Sequence, residues 1–312
     1  MKIWRKEGEM RIVLIGQAAF AEKVLEELQK SGEEVVGVYT IPDAPGRANS
    51  LKEMAVKMGI PVFQPPRLRA PEVYPEYLKL NPDLNVMAFV TDIVPESILN
   101  APKMGTIQYH PSLLPKHRGG SAINWAIING ENRTGLTIFW PDKGLDTGPV
   151  LLQKEVEISP DDTVGSLYFN RLFPLGVSAL MESVALVREG KAPRIVQDES
   201  QATYEGLCTA KDGIINWNEP VRKVYNLIRG TNPQPGASTS IQGKQFKIFD
   251  SEIATGSGMP GEVTGVLEKG ITIAAGDGVI LVKRVQPKGS PKIAATEFAG
   301  QVKLSVGDRL GG

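Results

Sequence analysis

Short, uninterrupted apolar runs alternate with helically spaced apolar positions through the first half of the chain. Arg11–Gly16 (RIVLIG) reads as a buried strand, and Phe20–Ser31 carries its apolar residues at the three- and four-residue spacing of a helix. Glu34–Thr40 (EVVGVYT) predicts a second strand, Leu51–Met58 a helix and Pro61–Gln64 a short third strand. Glu72–Leu80 predicts another helix, and Leu84–Val90 (LNVMAFV) another buried strand. Strands this apolar are covered on both faces. Their alternation with helices at short spacing predicts an α/β fold built on a parallel sheet. In such a sheet ligands gather at the carboxyl ends of the strands.

Two more strands follow, Gly105–His110 and Thr134–Trp140, with a helix Ala122–Asn129 between them. Val150–Ile158 reads as a longer strand and Thr163–Glu189 as one long helix. Lys191–Ala202 is polar and contains proline, which suits a linker. Beyond about residue 205 the texture changes. A helix around Glu219–Ile228 precedes the glycine-punctuated strands Gly243–Phe249, Gly261–Leu267, Gly270–Ala274 and Gly278–Arg284, then a polar, glycine-ended tail. That pattern fits a small β-barrel. The expected organisation is a first domain over residues 10–192, a linker over 193–205 and a second domain over 206–312.

Composition narrows this picture modestly. A chain of 312 residues with 41% hydrophobic and 22% charged residues can bury a core in each of two domains. Lysine plus arginine and aspartate plus glutamate both count 35, so no overall charge favours nucleic acid or membrane. From Gly206 onward there are 13 basic and 9 acidic residues, net +4, against net −4 before it. A split of that size supports a polyanion near the C-terminal part only weakly. Cys208 is the single cysteine, which excludes an internal disulfide and a cysteine-based metal site. It has no histidine near it in sequence and reads as a passive thiol. No apolar run reaches the ~20 residues of a membrane span. Met1–Glu9 is charged and lacks a signal core, and Met10 is a possible alternative start. The expectation is a cytoplasmic protein without a membrane partner.

The first strand–helix turn, Gly16-Gln17-Ala18-Ala19-Phe20, has one glycine where a dinucleotide fingerprint has three. No nicotinamide or flavin site is expected there, although a helix N-terminus can hold an anion weakly. The informative stretch is Gly105–Trp125, GTIQYHPSLLPKHRGGSAINW. Its strand ends at a histidine, and Pro111 and Pro115 stiffen the loop that follows. Side chains alternate along a strand, so Gln108 and His110 share a face while Tyr109 points away. An amide able to donate to an oxyanion thus stands beside an imidazole able to move protons. An isolated strand-end histidine ordinarily caps its strand, but the stiffened loop favours a functional one. A second loop, Asp142-Lys143-Gly144-Leu145-Asp146-Thr147-Gly148, lies between two strands. Taken alone it serves equally as a ligand loop or as a turn whose aspartates satisfy its own amides.

The pair HPSLLPKHRGGSAINW and GLDTG resembles the signature of the 10-formyltetrahydrofolate-dependent formyltransferase family. That family includes methionyl-tRNA formyltransferase and the N-terminal hydrolase domain of 10-formyltetrahydrofolate dehydrogenase. The similarity runs over nearly the whole chain, through Ala202–Leu207 (ATYEGL) into the C-terminal part. It implies a Rossmann-like domain followed by an OB-like β-barrel. It also implies that His110 is the catalytic histidine and Asp146 the catalytic aspartate. Met87, Ala88, Phe89 and Val90, with Ile93 and Pro95, match one wall of the pterin pocket. The loop carrying Trp140, Asp142, Gly144 and Leu145 closes on the pterin from the other side, largely through backbone groups, and Tyr204 covers the formyl end. Arg118, within the motif loop, reads as structural, bonding loop carbonyls.

Gln108 departs from the pattern, because transferases carry asparagine there and the hydrolase domain an aliphatic residue. It is kept as a catalytic candidate that donates to the oxyanion or swings aside for water. Tyr109–Pro115, Asn124-Trp125, Tyr204–Gly206 and Ile215–Trp217 are similar to the hydrolase branch. The transferases' basic tRNA insertion is replaced by Pro42–Leu51, which holds one arginine. The implied activity is hydrolysis of 10-formyltetrahydrofolate, the folate acting as substrate and no metal being required. Without an aldehyde-dehydrogenase segment, no nicotinamide-linked oxidation is completed within this sequence. Transfer to methionyl-tRNA, to an amino-sugar nucleotide or to another acyl acceptor is the competing enzymatic reading, and a folate-binding regulator the non-enzymatic one.

Overall fold

The computed structural model of the chain describes residues 10–46 and 49–311. The charged N-terminal segment and Arg47, the arginine of the 42–51 loop, lie outside the described residues. The chain divides into two compact units. The first comprises residues up to 118 with 135–155 and 171–204; the second comprises 119–134, 156–170 and 205 onward.

The elements run β1 (Arg11–Gly16), α1 (Ala18–Lys30), β2 (Glu34–Tyr39), α2 (Ser50–Lys57), β3 (Val62–Phe63), α3 (Val73–Lys79), β4 (Leu84–Ala88) and α4 (Glu96–Leu99). They continue with β5 (Thr106–His110), α5 (Ala122–Ile128), β6 (Arg133–Phe139), β7 (Val150–Glu157), α6 (Val164–Leu167) and α7 (Phe173–Arg188). The sheet order is β3-β2-β1-β4-β5-β6-β7. The first five of these strands pair in parallel, as the apolar runs predict. β6 departs from that expectation: it pairs antiparallel to β5, Tyr109 opposite Ile138 and His110 opposite Thr137. The chain leaves β5 at its carboxyl end and re-enters the sheet from that same end. Residues 111–132 therefore never make the crossover a parallel neighbour needs.

Alternation along β1 divides the core of this unit. Ile12 and Leu14 pack with Phe20, Val24 and Leu28 of α1 and with Val177, Leu180 and Val184 of α7. Val13 and Ile15 pack with Tyr77, Met87 and Ile98 on the opposite face. Tyr109 joins the α1 side, its ring 4.4 Å from that of Phe20, so Gln108 and His110 face the other way. Gly176 lets α7 lie on β5, since a Cβ there would sit 2.6 Å from the Tyr109 ring.

The single long helix expected over 163–189 is interrupted. Tyr168–Leu172 forms a π-helical turn between α6 and α7, just before Pro174. Proline has no amide hydrogen and its ring collides with the carbonyl four residues back, and a wider turn relieves both. In the second unit α8 (Val221–Gly230) precedes β8 (Ala237–Ile241), β9 (Lys244–Ala254), β10 (Val263–Leu267), β11 (Gly270–Ala274), β12 (Val279–Pro287), β13 (Ile293–Ala294) and α9 (Ala295–Val302). The antiparallel order is β10-β11-β12-β9-β8, with β13 on β12. The polar tail expected at the end instead contains a helix, α9, whose Phe298 packs 4.6 Å from Phe246.

Candidate active site at the carboxyl end of β5

The loop after β5 is held from several sides. Thr137 on β6 donates its hydroxyl to the Ser112 carbonyl (2.7 Å) and accepts from the Leu114 amide (3.0 Å) and the Gln153 side chain (3.0 Å). Ser112 donates to the Lys116 carbonyl at 2.6 Å. The His117 and Arg118 amides donate to the Thr203 hydroxyl (2.8 Å) and carbonyl (2.9 Å). Both prolines thus sit in a loop whose polar groups are held by Thr137, Thr203 and the loop itself.

His110 is buried, and its Nε2 lies 2.8 Å from the His117 carbonyl oxygen. A carbonyl oxygen only accepts, so Nε2 carries the hydrogen and Nδ1 is the nitrogen turned to Asp146. Nδ1 stands 3.6 Å from Asp146 Oδ2, and both side chains are buried. Gln108, two residues back, is half-buried; among the described residues its amide makes no hydrogen bond. An imidazole and a carboxylate therefore face each other, with the Gln108 amide on the same face of β5, a set able to take up, hold and release a proton.

Asp146 sits at φ 56°, His117 at φ 54° and Phe89 at φ 59°, all in the left-handed region that non-glycine residues avoid. Each costs about 1–3 kcal/mol and persists only where surrounding bonds enforce it. At Asp146 the backbone is held in part by Gln197, whose Nε2 donates to the Asp146 carbonyl (2.9 Å) and the Gly148 carbonyl (2.7 Å). Gln197 Oε1 in turn accepts from Arg118 Nε (3.1 Å) and Nη2 (2.8 Å). Arg118 is fully buried and donates its remaining hydrogens to Glu199 and to the Tyr204 hydroxyl. The guanidinium holds the Glu199 carboxyl below the usual carboxylate range, and that hydrogen bond pushes Arg118 itself up. Arg118 is structural, as expected, but through side chains rather than loop carbonyls.

The other candidates fall into two groups. Met87 and Ala88 are buried in β4. Trp140 is also buried: its indole donates to the Pro193 carbonyl at 2.8 Å, and Arg194 stacks 3.9 Å from its ring. Asp142 accepts from the Gly144 amide (2.9 Å) and the Thr147 hydroxyl (2.6 Å), which makes it the turn's own brace. Pro95 begins α4. By contrast Phe89, Ile93, Leu145 and Tyr204 are exposed large apolar residues, and Val90 is half-buried. Phe89 and Val90 also line a cleft with Gly16, Gln17, Tyr39 and Pro65.

Gly16 is there for packing, since a Cβ would stand 2.3 Å from the Ala88 carbonyl. Sequence reasoning missed Gln197 and Thr137, polar residues in stretches without a motif, and Thr203, which stands beside Tyr204 in ATYEGL. Among the described residues no group of three or more histidine, cysteine, aspartate or glutamate side chains is placed to hold a metal ion, and no helix is long and apolar enough to cross a membrane.

Comparison with known proteins agrees with this architecture. The formyl transferase family model matches residues 10–184, and the model of the formyl transferase C-terminal domain matches 208–302. Cytosolic 10-formyltetrahydrofolate dehydrogenase of Mus musculus is 44% identical over 307 residues, 93% of this chain but 34% of its own. This chain therefore spans about a third of the length of that relative. Methionyl-tRNA formyltransferase of Trichlorobacter lovleyi is 39% identical over 306 residues, 96% of each chain. Among solved structures, HypX from Aquifex aeolicus in complex with tetrahydrofolic acid superposes with a TM-score of 0.70 at 20% identity, over 96% of this chain and 48% of that one. The N-formyltransferase from Helicobacter canadensis gives 0.65 at 20% identity, over 89% of this chain and 99% of its own. At that identity the two structures speak for the fold alone.

Proposed function

Since this chain belongs to the formyl transferase family, we propose that it is an enzyme that takes the formyl group from 10-formyltetrahydrofolate and delivers it to water. The observation that carries the reading is the His110–Asp146 pair, with Nε2 committed to a carbonyl and Nδ1 turned to the carboxylate. Water adds its oxygen to the formyl carbon while its proton passes to the pair. The formyl oxygen becomes an oxyanion within reach of the Gln108 amide. Collapse breaks the bond from carbon to N10, and His110 Nδ1 returns a proton to N10. The products are formate and tetrahydrofolate. No step needs a metal or a nicotinamide.

In this reading residues 10–192 hold the folate and perform the chemistry, 193–205 connect, and 206–312 form the accessory domain. Phe89, Ile93 and Leu145 are the exposed apolar residues that the pterin covers, with Tyr204 near the formyl end. Met87, Ala88, Trp140, Asp142 and Gly144 contribute backbone. Water as acceptor is supported by Gln108 in place of asparagine and by the loop 42–51, which has one arginine. The similarity to cytosolic dehydrogenases supports a cytoplasmic setting. A second reading, transfer to methionyl-tRNA, draws on the end-to-end match to the Trichlorobacter protein.

One assay separates them. The chain is given 10-formyltetrahydrofolate alone, then with methionyl-tRNA, then with an amino-sugar nucleotide, and formate and tetrahydrofolate are followed. Release of formate without acceptor is expected, and His110→Ala abolishes it. Turnover only with tRNA or with the sugar replaces water by that acceptor. Binding without turnover under every condition makes the chain a folate-binding regulator.

A further inference from the structure

We propose that Gln197 is a positioning residue for the reaction, setting the Asp146 carboxylate on His110 from behind the loop; this rests on the proposed roles of His110 and Asp146. A chain of hydrogen bonds runs from His110 round to the backbone of Asp146, whose carboxylate then approaches His110. His110 Nε2 is fixed by the His117 carbonyl, and the next residue, Arg118, reaches Gln197 with two hydrogen bonds. Gln197 grips the peptides of Asp146 and Gly148, and the Asp146 side chain returns to His110 Nδ1 at 3.6 Å. Every link is buried: Arg118 is 0% exposed, Gln197 7%, His110 6% and Asp146 7%.

Only glutamine satisfies both ends of this arrangement. Arg118 offers donors, so the group facing it must accept; the loop offers two carbonyls, so the group facing them must donate. The amide meets both, and Arg118 fixes which way it is turned. Its two donated bonds anchor the carbonyls of Asp146 and Gly148, and so fix the turn in which Asp146 sits at φ 56°. The lever acts on backbone, so Gln197 needs no contact with substrate to govern where the carboxylate stands. Placement matters because a displacement of about 1 Å in a catalytic group can cost about a hundredfold in rate.

The discriminating variant is Gln197→Glu. A carboxylate still accepts from Arg118, so the buried guanidinium keeps a partner, but it cannot donate to the Asp146 and Gly148 carbonyls. The expected result is a kcat lower by about a hundredfold, with KM for 10-formyltetrahydrofolate within about threefold of wild type and a melting temperature lowered modestly, since two buried carbonyls lose their donor. Gln197→Asn keeps both polar groups but draws them back, and shows the same kcat-selective loss in smaller degree. It also serves should Gln197→Glu not fold. A second readout needs no activity. The chain has two histidines, so the ring ¹⁵N resonances of His110 are assignable, and in the folate-free variants they move while those of His117 hold. Wild-type kcat in both variants, or an unchanged His110 spectrum, overturns the proposal. So does a loss spread equally over kcat, KM and melting temperature. Full turnover by His110→Ala overturns the underlying function instead, whatever Gln197 does.

Discussion

At the scale of single residues, the two glycines of the DKGLDTG loop differ in what hems them in. A Cβ on Gly148 would stand 1.8 Å from the Trp140 carbonyl oxygen and 3.3 Å from the Asp142 amide, both main chain. Neither can turn aside. Gly148→Ala must therefore displace the loop that carries Asp146, and costs about 1–3 kcal/mol in a urea titration together with most of kcat. A Cβ on Gly144 meets the Thr147 hydroxyl at 2.0 Å, and that side chain can rotate. Gly144→Ala loses chiefly the bond from Thr147 to Asp142, about 1 kcal/mol, and keeps more activity. Equal damage from the two would contradict this account. Cys208 gives a pH-dependent case. Burial raises its pKa to about 11 because a thiolate is penalised away from water. Below that value the reactive fraction grows tenfold per pH unit, so alkylation of the folded chain still accelerates from pH 9 to pH 10, where an ordinary thiol levels off. A rate plateau at or below pH 9 counts against it. That His110 and Asp146 belong together as candidates was legible because motifs surround them, and the structure brings the two side chains to 3.6 Å. Gln197 was not, because its meaning lies in partners 79 and 51 residues away and its own segment has neither periodicity nor motif.

At the scale of elements, apolar content decided what could be foreseen. β1, β2 and β4 are dominated by apolar residues and read correctly to within a residue or two, as does β5, whose one apolar face carries Ile107 and Tyr109. β8 (ASTSI) alternates buried and half-buried small residues, and its serines and threonines hid the period of two. α9 did have a signal: Ala295, Phe298, Ala299 and Val302 recur at i, i+3, i+4 and i+7, and all are buried. The glycines and polar residues around it suggested a tail. Its packing supplies a test, since Phe298 is 3% exposed and meets Phe246 within its own unit. Phe298→Ala removes a buried ring and leaves a cavity, at a cost of about 3–5 kcal/mol in the unfolding of the second unit. A change under about 1 kcal/mol would mean that α9 is an ornament on the sheet rather than part of its core. The direction of β6 was beyond sequence reasoning altogether, because an apolar strand has the same pattern whichever way it runs.

At the scale of the whole molecule, electrostatics separates the two acceptors more sharply than any single residue does. A protein that grips tRNA neutralises several phosphates at once and releases their counterions, so its affinity falls steeply with salt. Six phosphate contacts would lower binding by about a thousandfold between 50 and 200 mM salt. This chain carries 35 cations against 35 anions, and the region from Gly206 onward reaches only net +4. Water brings no phosphates, and folate is a small ligand whose pterin would lie on apolar residues and backbone. Hydrolysis of 10-formyltetrahydrofolate should therefore keep its kcat/KM within about threefold over that range of salt, since the His110–Asp146 pair is buried and screened little. Stopped assays at 50, 100 and 200 mM potassium chloride measure this directly, run with and without tRNA present. Inhibition by deacylated tRNA at low salt, relieved steeply as salt rises, would reveal a polyanion site that the charge count does not predict. It would shift the assignment toward the transferase. A flat profile, indifferent to tRNA, leaves water as the acceptor that the charge distribution favours.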